Sequence, residues 1–220
     1  MARSRVAVAL VACALFAAPL MALADARAAN EDPDVVRLGD GRSQKTTWVP
    51  PGDTERYGHA DVLVHAPLAA VKKQVLDYGR YKELVPEKFH NAHVIGRQAG
   101  GTDVYMQLPI MRGLVTLWQV MRFYDVHPLA PGWAIVEGFF VKGNLKRANT
   151  TWTMRVVDDE TTLLQLDLLV VPLVPAPQSA VDEELRDAAM QGVDAMRDRA
   201  QGAPGPVPYP RVSALDGGNE

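Results

Sequence analysis

The side chains best suited to acid–base or metal chemistry are five histidines: His59, His65, His90, His93 and His127. His59 and His65 share one strand face with Asp61, and that face is polar, which suits solvent better than a metal. His90 and His93 are three apart and fall on opposite faces of a strand. Glu83 and Glu87 flank Pro86, where a surface role is the simpler reading. Arg122 is the sharper candidate. It shares a strand phase with Trp118, so if Trp118 points inward the guanidinium does too, and a buried cation needs a partner or a polar ligand group. Glu137, on the following strand, is the expected partner. No Gly-x-Ser-x-Gly, P-loop, Gly-x-Gly-x-x-Gly or His-Glu-x-x-His pattern is present. The lone cysteine, Cys13, excludes a cysteine zinc site, an iron–sulfur cluster and an internal disulfide. No catalytic residue, metal ligand or cofactor is therefore assigned. Asn149-Thr150-Thr151 matches a glycosylation sequon, but it lies inside a strand and reads as chance.

The 220 residues include 23 Lys+Arg and 26 Asp+Glu, a net charge of −3, with 48% hydrophobic and 22% charged residues. That balance fits one globular domain, or at most two small ones, and argues against collagen-like, coiled-coil and wholly disordered chains and against a nucleic-acid partner. Arg3 and Arg5 precede the uncharged run Val6 to Ala24, which ends in Ala22-Leu23-Ala24 before Asp25. This order is that of a secretory signal peptide, residues 1–24, and predicts export across the inner membrane of a bacterium, to the periplasm. Two alternatives stay open: an uncleaved anchor, and lipidation of Cys13 in Leu10-Val11-Ala12-Cys13.

The elements that must position any site follow from periodicity and breakers. Residues 25–55 are polar and turn-rich and read as a flexible leader, with one short pairing segment around Thr46–Val49. Residues 202–220 are rich in Pro and Gly and read as a disordered tail. The organised domain spans 56–201. A strand, His59–His65, is broken by Ala66-Pro67 and followed by helical spacing at Leu68, Val71, Val75 and Leu76, then a second short helix, Tyr78 to Leu84. Six strands follow: Phe89–Arg97, Thr102–Leu108, Leu114–Val126, Trp133–Val141, Lys146–Val157 and Thr161–Pro172. Their short connections require antiparallel pairing. A helix, Ala180–Ala200, capped by Ser179 or Asp182, closes the domain. The fold class is α+β: a curved antiparallel sheet of about seven strands, in the order β-α-α-β6-α, wrapped on the long last helix.

Strand alternation assigns the inward face. It takes Val104, Met106 and Leu108 from one strand, Val136 and Phe140 from another, then Trp152 and Met154, Leu166 and Leu168. Along Leu114–Val126 both phases are apolar. Trp118, Val120 and Arg122 are taken as inward, against Leu117, Met121 and Phe123. The last helix adds Met190, Val193 and Met196. These fifteen residues form the candidate ligand-binding set. They line either a filled core or a cavity for an apolar molecule.

The run Val62-Leu63-Val64-His65-Ala66-Pro67-Leu68-Ala69-Ala70-Val71, followed by Val75-Leu76-Asp77-Tyr78-Gly79-Arg80-Tyr81-Lys82-Glu83-Leu84-Val85-Pro86, resembles the opening of bacterial START-like helix-grip proteins. That superfamily (SRPBCC) includes lipid-transfer domains, polyketide cyclases and coenzyme Q-binding proteins. The resemblance covers roughly 57–201. It implies a deep apolar cavity for a lipid, sterol, quinone or polyketide, with affinity from about 25 cal/mol per Å² of buried apolar surface. It also implies a lip, Pro109-Ile110-Met111-Arg112-Gly113, that meets a membrane transiently. The alternatives are a cyclase- or aromatase-like enzyme and an interaction module with a filled core.

Overall fold

A computed structural model of the chain describes residues 32–39, 41–85, 89–110, 115–126, 130–173 and 175–202. Residues 1–24, read above as a signal peptide, most of residues 202–220, His127 and the tip of the proposed lip lie outside the described residues. No described helix is long and apolar enough to cross a membrane.

The turns dictate the sheet. Ala99 and Gly100 have φ of 50° and 78°. Two positive values in a two-residue loop twist the flanking strands into a tight hairpin. That hairpin joins β3 (Asn91–Gln98) to β4 (Gly101–Ile110). β5 (Val115–Val126), β6 (Trp133–Gly143), β7 (Leu145–Val156) and β8 (Thr162–Pro172) follow, each antiparallel to the one before. β2 (Tyr57–Val64) pairs with β8, and β1 (Gln44–Trp48) adds an outer strand to β2. The sheet thus has eight strands, in the order β1-β2-β8-β7-β6-β5-β4-β3.

The outer strand β1 falls on the short pairing segment expected around Thr46–Val49, and helix α1 (Pro33–Leu38) departs from the reading of the rest of 25–55 as a flexible leader. Asp32 caps that helix by accepting from the Asp34 N–H at 2.9 Å, and Pro33 starts it with its φ already helical. Leu38 is fully buried against Leu63 and Leu163 on the outer face of the sheet. Arg155 holds Asp32 and Asp34, and Arg37 holds Asp61. One buried leucine and three ion pairs are enough to fasten a stretch whose composition is that of a loop.

Between β2 and β3 lie α2 (Leu68–Val75), a 3₁₀ turn at Tyr78–Arg80 and α3 (Tyr81–Leu84). The long helix α4 spans Gln178–Ala200 and buries Leu185, Ala189, Val193 and Met196 on the sheet. It begins two residues before the expected Ala180. Pro177 holds the N-cap position, so neither Ser179 nor Asp182 caps it. Asp182 instead accepts from Arg56 at 3.1 Å and from Gln178 at 2.7 Å. Gly58 lets α4 lie directly on β2, because a Cβ there would come within 2.3 Å of the Leu185 backbone.

Candidate ligand-binding interior

β4 and β5 pair without a register break from Thr102–Phe123 to Ile110–Val115. The faces of β5 are therefore set by those of β4. Val104 and Met106 are buried on the helix side, and Asp103 stands on the outside. Arg122, directly opposite Asp103, donates to both of its carboxylate oxygens, at 2.6 and 2.9 Å. Trp118 stacks on Tyr105 outside the sheet, with ring centroids 6.3 Å apart. The inward assignment of Trp118, Val120 and Arg122 is thus corrected. All three lie on the outer face, and Leu117, Gln119, Met121 and Phe123 take the inner one. The expected partner Glu137 is corrected too, since it stands opposite Tyr124. Both phases of this strand are apolar, so alternation could not choose between them. The acid on β4 opposite Arg122 is the signal that decides it.

The other twelve members of the set come together between sheet and helix. Val104, Met106, Val136, Trp152, Met154, Leu166, Val193 and Met196 belong to one contiguous buried cluster, and Leu108, Phe140, Leu168 and Met190 pack against it. At the far end Phe123 stacks on Tyr78 at 4.8 Å and meets Tyr81 edge-on at 6.3 Å. Glycines let these side chains approach closely. Phe123 occupies the place a Cβ of Gly138 would take, at 2.6 Å. Leu166 and Trp152 lie 2.7 and 3.5 Å from the corresponding point at Gly192. At these points the layer packs closely, as an interior does.

Few polar groups enter this layer. The Tyr81 hydroxyl donates to the Val75 carbonyl at 2.7 Å. Burial drives its pKa well above the ordinary value, so it stays a neutral phenol. The indole N–H of Trp152 lies buried beside it without forming a regular hydrogen bond. Gln119 is 5% exposed, and its Oε1 has no hydrogen-bond partner among the described residues. Asp125 stands at the rim, paired with Lys72 of α2 at 2.9 Å. Gln119 escaped sequence reasoning because it lies in the rejected phase of β5.

Two clefts of the described surface lie away from this layer and are polar. One, of about 440 Å³, is lined by Thr54, Glu55, Arg56, Gln178, Ser179 and Asp182. The other, of about 280 Å³, includes Arg37, Lys45, His59 and Asp61. His59 is not solvated as expected. Its Nδ1 lies 2.8 Å from Asp167, and its Nε2 lies 3.7 Å from Asp61. Burial pulls its pKa down, but the two carboxylates outweigh that and hold it up at about 9. The Trp48 indole donates to Asp167 at 2.6 Å. His65, His90 and His93 are exposed, and His93 lies against Tyr105 at 5.2 Å. Among the described residues no group of three or more His, Cys, Asp or Glu side chains is arranged to hold a metal ion.

No protein-family model matches the chain, and no curated protein matches it. Solved structures do. The chain is similar to a STAR-related lipid transfer protein from Xanthomonas axonopodis, with a TM-score of 0.61 and 15% identity over 72% of this chain and 93% of that one. It is similar to a START superfamily protein from Mycobacterium smegmatis, with a TM-score of 0.56 and 17% identity over 66% and 97%. It is also similar to the lipid transfer and protein localization domain of human StarD13, with a TM-score of 0.54 and 14% identity over 86% and 98%. The chain has the START-like helix-grip fold.

Proposed function

We propose, from the START-like fold and the composition of its inner layer, that this protein is an exported carrier of one apolar molecule, held between the sheet and α4. A single observation carries the reading. Along β2 and β4 to β8, the charged side chains in the inward phase among the described residues are Asp125 at the rim and Lys146 at the bulge where β7 begins, and both are exposed. A layer of that kind rewards burial of hydrocarbon and of little else. Removing 200–300 Å² of apolar ligand surface from water contributes about 5–8 kcal/mol before ordering costs. Trp152, Leu166 and Phe123 pack closely against Gly192 and Gly138, so uptake requires side chains to move. Met106, Met154, Met190 and Met196 are unbranched and can change rotamer without leaving the apolar layer. The leader pattern of residues 1–24 supports export, and the apolar segment Pro109–Gly113 supports transient contact with a donor membrane. Metal and covalent chemistry play no part in this reading.

The close packing of Trp152 on Gly192 favours a second reading, an interaction module whose core is simply full. One experiment separates the two. The purified full chain is extracted with organic solvent, before and after incubation with vesicles of bacterial phospholipid, and the extract is analysed by mass spectrometry. The carrier yields lipid at close to one molecule per chain in at least one sample. Protein free of lipid in both would overturn the carrier reading and leave the filled core.

A further inference from the structure

Gln119 is a polar residue where the fold asks for an apolar one. β5 alternates against β4 without a break, so Gln119 shares its side with Leu117, Met121 and Phe123. Its register neighbours are Met106 on β4 and Gly143 on β6, and neither side chain carries a hydrogen-bond donor. The adjacent backbone donors are engaged elsewhere: the Trp118 N–H reaches Asn144 Oδ1 at 2.7 Å, and the Asn144 N–H reaches the Trp118 carbonyl at 3.1 Å. The amide oxygen of Gln119 has no hydrogen-bond partner among the described residues and sits in an apolar wall, a state that native proteins rarely leave uncompensated.

Its chemistry defines what would satisfy it. An amide oxygen accepts, so the ligand must donate. An ionised acid has no proton to give that oxygen, and its charge would be buried in an apolar layer without a cation beside it. A cation would lack a counter-ion, since the charged pair at the rim, Lys72 with Asp125, lies six residues along β5, roughly 20 Å away. A neutral hydroxyl fits both demands. Resting on the carrier reading, we infer that Gln119 makes this interior selective for a neutral apolar molecule bearing a hydroxyl group, whose proton is donated to Gln119 Oε1.

The test uses three probes with one skeleton: 1-butylpyrene, 4-(1-pyrenyl)butan-1-ol and 4-(1-pyrenyl)butanoic acid. Energy transfer from protein tryptophan to pyrene reads their binding to the full chain. The alcohol is expected to bind about tenfold tighter than the hydrocarbon, the ratio one buried hydrogen bond supports, and tighter than the ionised acid. In Gln119→Leu the alcohol and the hydrocarbon should bind equally, with the hydrocarbon no weaker than in the native protein. A higher melting temperature for the variant would show that it is folded and relieved of its unpartnered oxygen. Equal binding of alcohol and hydrocarbon to the native protein overturns the selectivity while leaving the carrier standing. So does a preference that survives in Gln119→Leu. If none of the three probes binds, the carrier reading itself fails and the selectivity falls with it.

Discussion

Arg122 of β5 and Asp103 of β4 stand opposite each other on the outer face of the sheet, joined by two hydrogen bonds of 2.6 and 2.9 Å. The Arg122 hydrogen bonds hold the Asp103 carboxyl below its ordinary range, against the opposing effect of burial. This pair sets the phase of β5. With Arg122 outside, Met121 and Phe123 must point in, and the candidate site contains no arginine. Arg122→Leu should lower the melting temperature by about 3–6 °C, because it leaves the Asp103 carboxylate without its partner. Binding of 1-butylpyrene should be unchanged. A large loss of binding in a folded variant would return Arg122 to the site.

The His59 cluster makes stability depend on pH in one direction. The folded state binds the imidazole proton more tightly than the ordinary value of 6.5, with a pKa of about 9. The stabilisation is therefore complete below about pH 6.5 and is lost as pH rises through 9. After allowance for solvent screening it amounts to about 1–2 kcal/mol. The melting temperature should fall by about 3–6 °C between pH 6.5 and 9.5, and His59→Gln should flatten most of that slope. A native profile with no fall in this window would show that Asp61 and Asp167 do not grip a protonated ring.

Leu38 tests whether the N-terminal segment belongs to the domain. It is 0% exposed, and truncation to alanine would leave a void beside Leu63 and Leu163. Leu38→Ala should cost about 2–4 kcal/mol and lower the melting temperature by about 5–10 °C. A change within 1 °C would mean that the segment comes and goes freely.

Sequence reasoning succeeded where one strand phase is polar and the other is not. On β7, Arg147, Asn149, Thr151, Thr153 and Arg155 alternate with Ala148, Trp152 and Met154, and the structure keeps that division. The resemblance carried by Val62 to Pro86 led to the helix-grip order. On β5 the rule had nothing to work with. Trp118 and Val120 in one phase match Leu117 and Met121 in the other, and only pairing with Asp103 separates them. The N-terminal segment was legible in part: β1 lies on the pairing segment expected around Thr46–Val49, but α1, with six residues, is too short for a period to show and is held by tertiary ion pairs such as Arg155–Asp32. The Asp32-Pro33 start of α1 was the local signal available.

The account stands or falls on where an apolar guest sits. Full-length protein with ¹³C-labelled methionine methyls, mixed with 1-butylpyrene, can report that contact directly through nuclear Overhauser effects. Cross-peaks from the pyrene protons to the methyls of Met106, Met154 and Met196 are the predicted result, each assigned by single Met→Leu variants. Pyrene that binds without touching any of these three methyls would contradict a ligand layer between sheet and helix.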